Sequence, residues 1–425
     1  MGMWMLVIFI VLLFLAVPIP FAILISSLLS IFASDWPITL LPQRIVTGSD
    51  SFTLLAVPFF LLAGELMQYG GLSRRMVRFA NALVGHLTGG LAMVTVVAAS
   101  LFAATSGSAP ATTASIGGIM IPEMEKSGYD KAFSVALAAA SGPLGQMIPP
   151  SIPMVVWAVA ANTSITRLFL AGVVPGLMMA FGLMCVSYFF SKKHGYTSNA
   201  KKASGKEVIL AFKESFWALM CPVIILGGIY GGIFTPTEAA AVAVTYGVFV
   251  GVFIYRELKL SHLAKVFSSA VKSTTLVIFV VAAANLFGWI MAAEQLAPQL
   301  VQSLFSVTTN KFVLLMILNL LLIVLGCLMD NIAAMVILSS VFVALGAKLG
   351  LDPVHLGLII VSNFAVGQIT PPVGYSLFIG ASISGMSIEK IGRAAFPFIL
   401  AELCVVFLLS YFPAIALFLP NFFYN

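Results

Sequence analysis

The residues best suited to binding an ion lie in two copies of one short motif. Residues 145–150, Gly-Gln-Met-Ile-Pro-Pro, recur as residues 367–372, Gly-Gln-Ile-Thr-Pro-Pro, after a shift of 222 positions (367 − 145). Glycine lets a chain turn and lets a ligand approach the backbone, whereas proline has no N–H and frees an upstream carbonyl. Apolar segments interrupted by Gly and Pro at matching places in two halves indicate the binding site of a repeat-built transporter.

Oxygen-bearing side chains surround both motifs. Sodium is a hard cation that takes oxygen ligands, so we expect a Na⁺ site in each half and two or more ions in all. The side-chain candidates are Ser106, Ser108, Ser141 and Ser151 in the first half and Asp330, Asn331, Asn363 and Thr370 in the second. The backbone candidates are Gly142, Gly145, Met147 and Pro150, followed by Gly367, Ile369 and Pro372. The alternative is that these polar groups only cap broken helices.

Asp330 is the candidate that carries a charge. An ionisable residue within an apolar stretch is a functional candidate by default. Its counterpart in the first half is Ser108 (330 − 222), so the two halves differ chemically. Asp330 would orient hydroxyl or amide groups of a substrate or neutralise an ion, and a helix cap is the simpler alternative. Other carboxylates near apolar runs are expected to pair with bases between helices: Glu65, Glu294 and Glu402.

The elements that position these residues must lie in a lipid bilayer. The chain is 61% hydrophobic and 8% charged, with a mean hydropathy of +1.10, whereas soluble domains carry roughly 25% charged residues. Its basic residues lie at the ends of apolar runs, which favours a topology signal over nucleic-acid binding. It has no HExxH motif, no Gly-rich phosphate loop and no nucleophile elbow, so we expect no enzyme. The histidines are expected to be solvated or interfacial, without a metal: His86, His194, His262 and His355.

Apolar runs of about 20 residues predict membrane-spanning helices. They cover residues 4–31, 52–69, 168–191, 215–232, 236–255, 274–293 and 394–418. Four further apolar stretches are interrupted by Gly, Pro or polar clusters, at 88–122, 130–163, 311–346 and 354–386. We interpret the first and third of these as re-entrant helical hairpins with tips at 105–113 and 326–331, and the others as broken helices. Non-helical backbone at membrane depth needs protein or a water-filled cavity around it, and an all-α membrane fold of this kind provides both.

The shift between the two motif copies also divides the chain into two repeats. Repeat one is expected over 1–191 and repeat two over 236–425, with a basic loop and a connector helix over 192–235. The basic residues that crowd this loop place it in the cytoplasm: Lys192, Lys193, Lys201, Lys202 and Lys206. The N-terminus is then cytoplasmic, the C-terminus lies outside, and the repeats have opposite topology. Segments 34–48 and 258–273 are expected to be arm helices in the interface plane.

In its combined motifs the chain resembles the large membrane subunit of TRAP transporters (the DctM/SiaM-like family). The resemblance depends on residues 106–113, on the doubled Gly-Gln-x-x-Pro-Pro, and on residues 232–240, Gly-Ile-Phe-Thr-Pro-Thr-Glu-Ala-Ala, where Thr235 and Glu238 also predict a helix capping box. It implies an elevator-type secondary carrier of the bacterial inner membrane, driven by Na⁺. Such carriers take an organic anion from a periplasmic binding protein, and a small four-helix membrane subunit, expected here as a separate chain, accompanies them.

The resemblance also implies where the ligands bind. Na⁺ would lie around Ser106 and Gly145 and around Asp330 and Gly367. The substrate, of the sialic acid or C4-dicarboxylate class, would lie between the tips, near Ser108, Ser151, Asp330, Asn331 and Thr370. Both hairpins and both broken helices would move against a scaffold of 4–31, 215–232, 236–255 and the arms. The alternatives are a stand-alone Na⁺-coupled carrier of di- or tricarboxylates, which needs no binding protein, and a channel.

Overall fold

The described part of the chain, residues 2–196 and 202–424, consists of helices and the segments that connect them. In this computed structural model, seven helices of that part are long and apolar enough to cross a membrane, or eight if one bent pair counts as a span. The chain is an all-α membrane protein, as its hydropathy predicts. Lys201 of the basic loop lies outside the described residues.

The first long apolar run forms two helices, α1 (Gly2–Phe14) and α2 (Ile19–Ala33). The prediction of one span over 4–31 is wrong. Ala16 adopts a left-handed backbone conformation (φ 58°), and Pro18 has no N–H with which to continue a helix. The elements that follow are α3 (Leu40–Ser49), α4 (Ala56–Tyr69) after a 3₁₀ turn at Phe52–Leu55, and α5 (Leu72–Val84).

Residues 88–122 form a helical hairpin, with legs α6 (Gly90–Ser106) and α7 (Ala109–Lys126). The chain turns there because Gly107 adopts φ 62° and Ser108 caps α7, with Pro110 in its first turn. The next stretch is a broken helix in three pieces, and a cis Pro149–Pro150 bond precedes the third piece. Its pieces and the long helix after it are α8 (Lys131–Ala140), α9 (Leu144–Met147), α10 (Ile152–Ala160) and α11 (Ile165–His194).

The middle of the chain contains α12 (Gly205–Tyr230), α13 (Pro236–Phe249) with a π turn at Val250–Ile254, and α14 (Leu260–Ala293). The predicted capping box of α13 is confirmed. The Glu238 N–H donates to Thr235 Oγ1 (3.3 Å), and the Thr235 N–H donates to Glu238 Oε2 (2.8 Å). The expectation of a separate arm helix at 258–273 is wrong, because no proline interrupts the 34 residues of α14.

The second half repeats the hairpin and the broken helix. Its helices are α15 (Leu296–Val307), α16 (Lys311–Leu328), α17 (Asn331–Ile337), α18 (Ser339–Lys348), α19 (Pro353–Gly367), α20 (Tyr375–Ser384), α21 (Ile388–Tyr411) and α22 (Pro413–Tyr424). The returning leg of this hairpin bends by 61° between α17 and α18, whereas α7 is continuous. The span predicted over 394–418 is present as α21, but it ends at Tyr411, because Phe412, which precedes Pro413, leaves the helical conformation (φ −118°, ψ 83°).

Backbone features of the two halves recur at the spacing of the doubled motif. α7 and α17 begin at that spacing (331 − 109 equals 367 − 145), and so do the helices α8 and α19, which Asp130 and Asp352 cap. The second cis bond, Pro371–Pro372, follows the first, Pro149–Pro150, at the same spacing. α10 packs on α17 while α20 packs on α7, so the contacts between the halves are reciprocal, as a two-fold relation requires.

The long helices that follow the broken ones, α11 and α21, run antiparallel. A Cβ at Gly357 near the start of α19 would lie 2.8 Å from Leu168 at the start of α11. On the same helix, the His355 imidazole Nε2 lies 2.8 Å from the carbonyl of Leu409, near the end of α21. The start of α11 therefore lies beside the end of α21.

Ion pairs hold α5 against the α12–α13 pair. Arg75 Nη1 lies 2.6 Å from Glu257 Oε1, and its guanidinium lies over the Tyr255 ring at 3.6 Å from the centroid. Arg78 Nη1 lies 2.6 Å from Glu214 Oε2 on α12. Because α13 also packs on α4, these four helices form one framework beside the hairpins.

Candidate functional site

Both hairpin tips open into one central cavity of about 360 Å³. Gly107 and Ser108 of the first tip and residues 326–332 of the second line it, together with the two motif glutamines, Gln146 and Gln368. The opposite wall is mainly apolar and comes from α2, α4 and α14: Ile19, Leu61, Ser273, Leu276 and Val277. The structure therefore brings together the two tips that the doubled motif singled out.

The first tip is fixed to the break in the neighbouring helix. The Ile152 N–H donates to Gly107 O (3.0 Å), which joins the hairpin turn to the start of α10. A Cβ at Gly107 would lie 2.8 Å from the carbonyl oxygen of Pro150, one of the expected Na⁺ ligands, and its φ is 62°. Only glycine combines this conformation with so close an approach.

Hydroxyl groups gather behind the first tip. Ser106 Oγ and Thr112 Oγ1 lie 3.0 Å apart, and Thr112 also donates to Ser108 O (2.9 Å). A Cβ at Gly145 would lie 2.5 Å from both Ser108 O and Thr112 Oγ1. The motif glycine thus lets the broken helix approach a group of oxygens within the protein, which is the environment that a hard cation takes.

Two further hydroxyls of this region have no hydrogen-bond partner among the described residues. They are Thr113 Oγ1 on α7 and Ser376 Oγ on α20, and both are buried. Both face Gly142, since a Cβ there would lie 2.9 Å from Ser376 Oγ and would also contact Thr113 Oγ1. Buried polar groups without a partner are uncommon, so these hydroxyls are free to bind a cation.

The second tip offers a carboxylate and an amide. Asp330 caps α17 by accepting from the backbone N–H groups of Ile332 (3.0 Å) and Ala333 (3.1 Å). Asn331 Nδ2 donates to Phe364 O (2.8 Å), while its Oδ1 is buried without a partner among the described residues. The Asn331 amide also reaches the motif of the first half, because Nδ2 lies 3.3 Å from Gln146 Oε1.

Glycines also bring the backbones of the second half together. A Cβ at Gly367 would lie 2.6 Å from the carbonyl carbon of Gly326 on α16. This contact matches the approach of Gly145 to the first hairpin, so the motif glycine serves the same purpose in both halves.

Several expected ligands direct their side chains elsewhere. Ser141 and Thr370 each donate to the carbonyl four residues earlier (both 2.8 Å), within their own helical turn. Asn363 Nδ2 donates to Asn319 Oδ1 (2.7 Å), one turn before the motif. Ser151 accepts from the N–H three residues later (3.4 Å) and so caps α10. These four side chains do not line the central cavity.

The remaining backbone candidates lie in different surroundings. The carbonyl of Met147 faces α11, where only Gly172 leaves room for it. Ile369 is buried, whereas Pro372 is exposed. The first motif is therefore enclosed by protein, and the second opens to the surface beyond Thr370.

Three residues outside the tips differ from expectation. Glu65 was expected to pair with a base, but it accepts a hydrogen bond from Ser269 Oγ (2.6 Å). Glu402 is fully buried, and neither of its oxygens has a hydrogen-bond partner among the described residues. The expectation of a solvated or interfacial His355 is wrong, because this side chain is only 1% exposed at the α19–α21 contact.

Sequence reasoning missed Thr112, Thr113 and Ser376. The two threonines belong to the predicted tip at 105–113, so their position was the available signal. Ser376 comes from the other half, where its shift-related counterpart is Met154 (376 − 222), and the repeat therefore gave no signal for it. No group of three or more His, Cys, Asp or Glu side chains among the described residues could hold a metal ion.

Comparison with known protein families gives one match along nearly the whole chain. The family model described as "Tripartite ATP-independent periplasmic transporter, DctM component" matches residues 6–415. Among solved structures, the YdaH transporter of Alcanivorax borkumensis, described as having an unusual topology, is similar with a TM-score of 0.61. That likeness covers 89% of this chain and 88% of the other at 17% sequence identity, and it concerns the fold alone.

Curated relatives are similar over most of the chain. The C4-dicarboxylate TRAP transporter large permease protein DctM of Pseudomonas aeruginosa is 43% identical over 378 residues, covering 89% of this chain and 88% of that protein. The sialic acid TRAP transporter large permease protein SiaM of Vibrio cholerae is 39% identical over 413 residues, with 97% and 96% covered. The isethionate TRAP transporter permease protein DctMQ of Oleidesulfovibrio alaskensis is 43% identical over 409 residues and covers 96% of this chain. This chain spans 64% of the length of DctMQ, which is less than two thirds.

Proposed function

Because the chain belongs to the DctM family of tripartite ATP-independent periplasmic (TRAP) transporters, we propose that it is the large permease of a Na⁺-coupled uptake system for an organic anion. The relatives are permeases of the membrane and not enzymes. Beyond its membership of the family, we propose the driving ion, the binding residues and an elevator-type movement.

The observation that carries Na⁺ coupling is the charge of the central cavity. Asp330 is the one charged residue among the described residues that line it, and they include no Lys, Arg or His. An organic anion held there would face a carboxylate, with no cation of the protein to balance either charge. Cations that bind together with the anion remove this repulsion, so each ligand strengthens the binding of the other.

We place one Na⁺ behind each tip. In the first half the ligands would be the oxygens gathered around Gly142 and Gly145: Ser106, Ser108, Thr112, Thr113 and Ser376. In the second half, Asp330 and Asn331 would share an ion with carbonyls near Gly367. The substrate would lie between Ser108 and Asp330, the two shift-related caps that line the central cavity.

The membrane potential sets the direction in which Na⁺ and the anion move together. Inward movement of one elementary charge gains about 2.3 kcal/mol per 100 mV. Two Na⁺ with one monoanion, or three Na⁺ with one dianion, carry net positive charge, so their joint movement is driven into the cell. Coupling requires that the fully loaded protein moves and the half-loaded protein does not.

The packing supports a division into a fixed and a moving part. α4, α5, α12 and α13 are joined by ion pairs and close contacts, and both hairpins and both broken helices pack on one another across the halves; α6 of the first hairpin also packs on α5. The central cavity lies between the polar tips and a mainly apolar wall from α2, α4 and α14, of which α4 belongs to the ion-paired group. Polar tips form few hydrogen bonds with an apolar wall, so they can move past it. This arrangement is suited to an elevator-type movement.

The antiparallel course of α11 and α21 supports inverted repeats over 1–191 and 236–425, with the connector between them. We propose an inner-membrane protein of a bacterium with a cytoplasmic N-terminus and a periplasmic C-terminus. A periplasmic binding protein would deliver the substrate, and a separate small four-helix subunit would accompany the permease. The relatives' names favour a sialic acid, a C4-dicarboxylate or a small sulfonate as the substrate.

The proposal is tested with the permease and its small subunit in sealed proteoliposomes, with the binding protein outside. Labelled sialic acid, succinate and isethionate are offered in parallel. We expect uptake of one of them under an inward Na⁺ gradient and its loss when K⁺ replaces Na⁺. Equal uptake in K⁺ contradicts Na⁺ coupling, and full uptake without the binding protein supports the stand-alone carrier instead.

A further inference from the structure

Three neighbouring cavities lead from the central site toward α5. The central cavity shares Leu61, Ser108 and Ser273 with a smaller cavity of about 190 Å³. The smaller cavity shares Gln68 and Ala114 with a third one of about 640 Å³. Consecutive cavities share lining residues and so lie side by side, and we call this row of cavities the passage.

Two helical faces form the walls of this passage. On α4 the lining residues Leu61, Glu65 and Gln68 lie at i, i+4 and i+7, which places them on one face. On α7 they extend from position 110 to position 119, a rise of about 14 Å along the helix axis: Pro110, Ala111, Ala114, Ser115, Gly118 and Ile119. The α7 face carries small side chains, and a Cβ added at Gly118 meets no atom within 4 Å. Small side chains on this face leave space between the helices.

The smallest of the three cavities contains polar as well as apolar lining residues. Glu65 Oε1 accepts from Ser269 Oγ (2.6 Å), and Gln68 follows one turn later. Farther along, Ser115 Oγ is buried and has no hydrogen-bond partner among the described residues. Each of the three cavities therefore contains polar groups to which water can bind.

The far end of the passage carries a surplus of positive charge. We name this end the basic mouth; it consists of Arg74, Arg256, Lys259 and His262. Glu257 is the one carboxylate among the described residues that line it, and Arg75 beneath it already pairs with that carboxylate at 2.6 Å. Neither Arg256 nor Lys259 forms an ion pair with any residue in the described part of the chain. The basic mouth thus has the opposite charge to the central cavity, where Asp330 lies.

We propose that the basic mouth is a second, weaker anion-binding site, which receives the organic carboxylate or sulfonate after it leaves the central cavity. Once Na⁺ dissociates, Asp330 repels the anion left in the central cavity, and the positive charge at the other end of the passage attracts it. The identity of this anion rests on the proposed function. The positive potential of the basic mouth does not depend on that function, and it is measured separately.

The potential is measured with charged thiol reagents on the full-length protein in membrane vesicles. The native cysteines are replaced by serine, and Gly118→Cys places one thiol inside the third cavity. The rates at which an anionic and a cationic methanethiosulfonate modify this cysteine are measured. Each rate is divided by the rate of the same reagent with a small thiol in solution. We expect the anionic reagent to be favoured by about threefold or more. We expect this preference to disappear in the double variant Arg256→Gln/Lys259→Gln.

The matched control is Lys265→Gln/Lys272→Gln, which removes two charges from α14 at positions outside all three cavities. An absent preference in the parent protein, or its equal loss in both double variants, overturns the proposal. Ser115→Cys gives the same measurement at a second position if Gly118→Cys does not accumulate.

The role in release is measured by anion exchange in proteoliposomes. The double variant at the basic mouth should raise the apparent KM severalfold for anion offered on the side of the mouth. The KM for anion delivered by the binding protein on the other side should stay the same. An unchanged KM on the mouth side contradicts the role. A parent protein that transports no anion refutes the proposed function, while the thiol measurement still decides the charge of the mouth.

Discussion

The two copies of the motif lie beside the two hairpin tips, in different surroundings. In the first half, residues 145–150 are enclosed by protein, and the proposed ligands are neutral hydroxyls and carbonyls joined through Thr112 and Ser108. In the second half, the chain becomes exposed beyond Thr370, and the tip carries a carboxylate, Asp330. One duplicated backbone thus gives two different sites. The first is suited to hold an ion alone, and the second to share an ion with a substrate.

Alanine at a motif glycine should have the largest effect, and both halves should respond. Gly145→Ala would put a methyl group 2.5 Å from two oxygens, and Gly367→Ala would put one 2.6 Å from the backbone of Gly326. Overpacking of this kind costs about 1–3 kcal/mol, and it would separate each broken helix from its hairpin. We expect uptake near background in both variants at normal expression.

The control for these variants is Gly227→Ala on α12, where a Cβ meets no atom within 4 Å. It should transport normally. Wild-type uptake by Gly145→Ala or Gly367→Ala would show that the close approach in that half is not needed.

Removal of the charge from the second tip should have the next largest effect. Asn caps helices about as well as Asp, so Asp330→Asn keeps the start of α17 and removes only the charge. We expect the apparent affinity for Na⁺ to fall by about tenfold, which corresponds to roughly 1.4 kcal/mol. The affinity is measured as the Na⁺ dependence of uptake.

Asp352→Asn is the matched control. Asp352 caps α19 in the same way, by accepting from the N–H groups two and three residues later, at 2.7 and 3.2 Å. It lies outside the central cavity. Equal Na⁺ dependence in Asp330→Asn and wild type would reduce Asp330 to a helix cap and make the two tips chemically alike.

Loss of one hydroxyl from the first tip should have a smaller effect. Thr113→Val is nearly isosteric and removes an oxygen that has no partner among the described residues. If that oxygen served only packing, its loss would be neutral or stabilising. We expect instead a severalfold loss of Na⁺ affinity with an unchanged thermal midpoint in K⁺.

Thr95→Val is the control for Thr113→Val. Thr95 is also buried in the first hairpin, but its hydroxyl donates to Leu91 O (2.8 Å). It should leave Na⁺ affinity unchanged and lower stability by about 1 kcal/mol. A wild-type Na⁺ response from Thr113→Val would remove this hydroxyl from the first ion site.

The smallest effect is expected at Thr370, which the sequence placed among the substrate ligands. Its hydroxyl donates to Val366 O (2.8 Å) and does not line the central cavity. Thr370→Val should change the KM for the anion by less than about twofold, since one local hydrogen bond contributes about 1 kcal/mol or less. A larger rise in KM would bring this residue into the substrate site and make the second tip more polar than the structure indicates.

The sequence predicts those parts of the site that depend on backbone chemistry. The doubled Gly and Pro residues require interruptions of the helices, and the shift between the motif copies locates Asp330 opposite Ser108. Helix caps follow from local rules as well, as Thr235 and Glu238 show.

The parts that the sequence did not predict depend on contacts between distant residues or on subtle backbone choices. Ser376 joins the first site only because α20 packs on α7. The break after α1 combines Pro18, which the sequence shows, with a left-handed conformation at Ala16, which no composition rule requires. Ser141 has a suitable oxygen, but its hydroxyl donates to Leu137 O, and Asn363 directs its Nδ2 to Asn319 while its buried Oδ1 has no hydrogen-bond partner among the described residues.

The central claim is that the two tips bind Na⁺ and an organic anion together, since the cavity between them holds a carboxylate and no basic side chain among the described residues. The most direct test is titration calorimetry of the transported anion into the permease with its small subunit in nanodiscs, in Na⁺ and in K⁺ at equal ionic strength. We predict binding in Na⁺, with an affinity that rises more steeply than the first power of Na⁺ concentration, and no measurable binding in K⁺. Equal affinity in both salts would contradict the account.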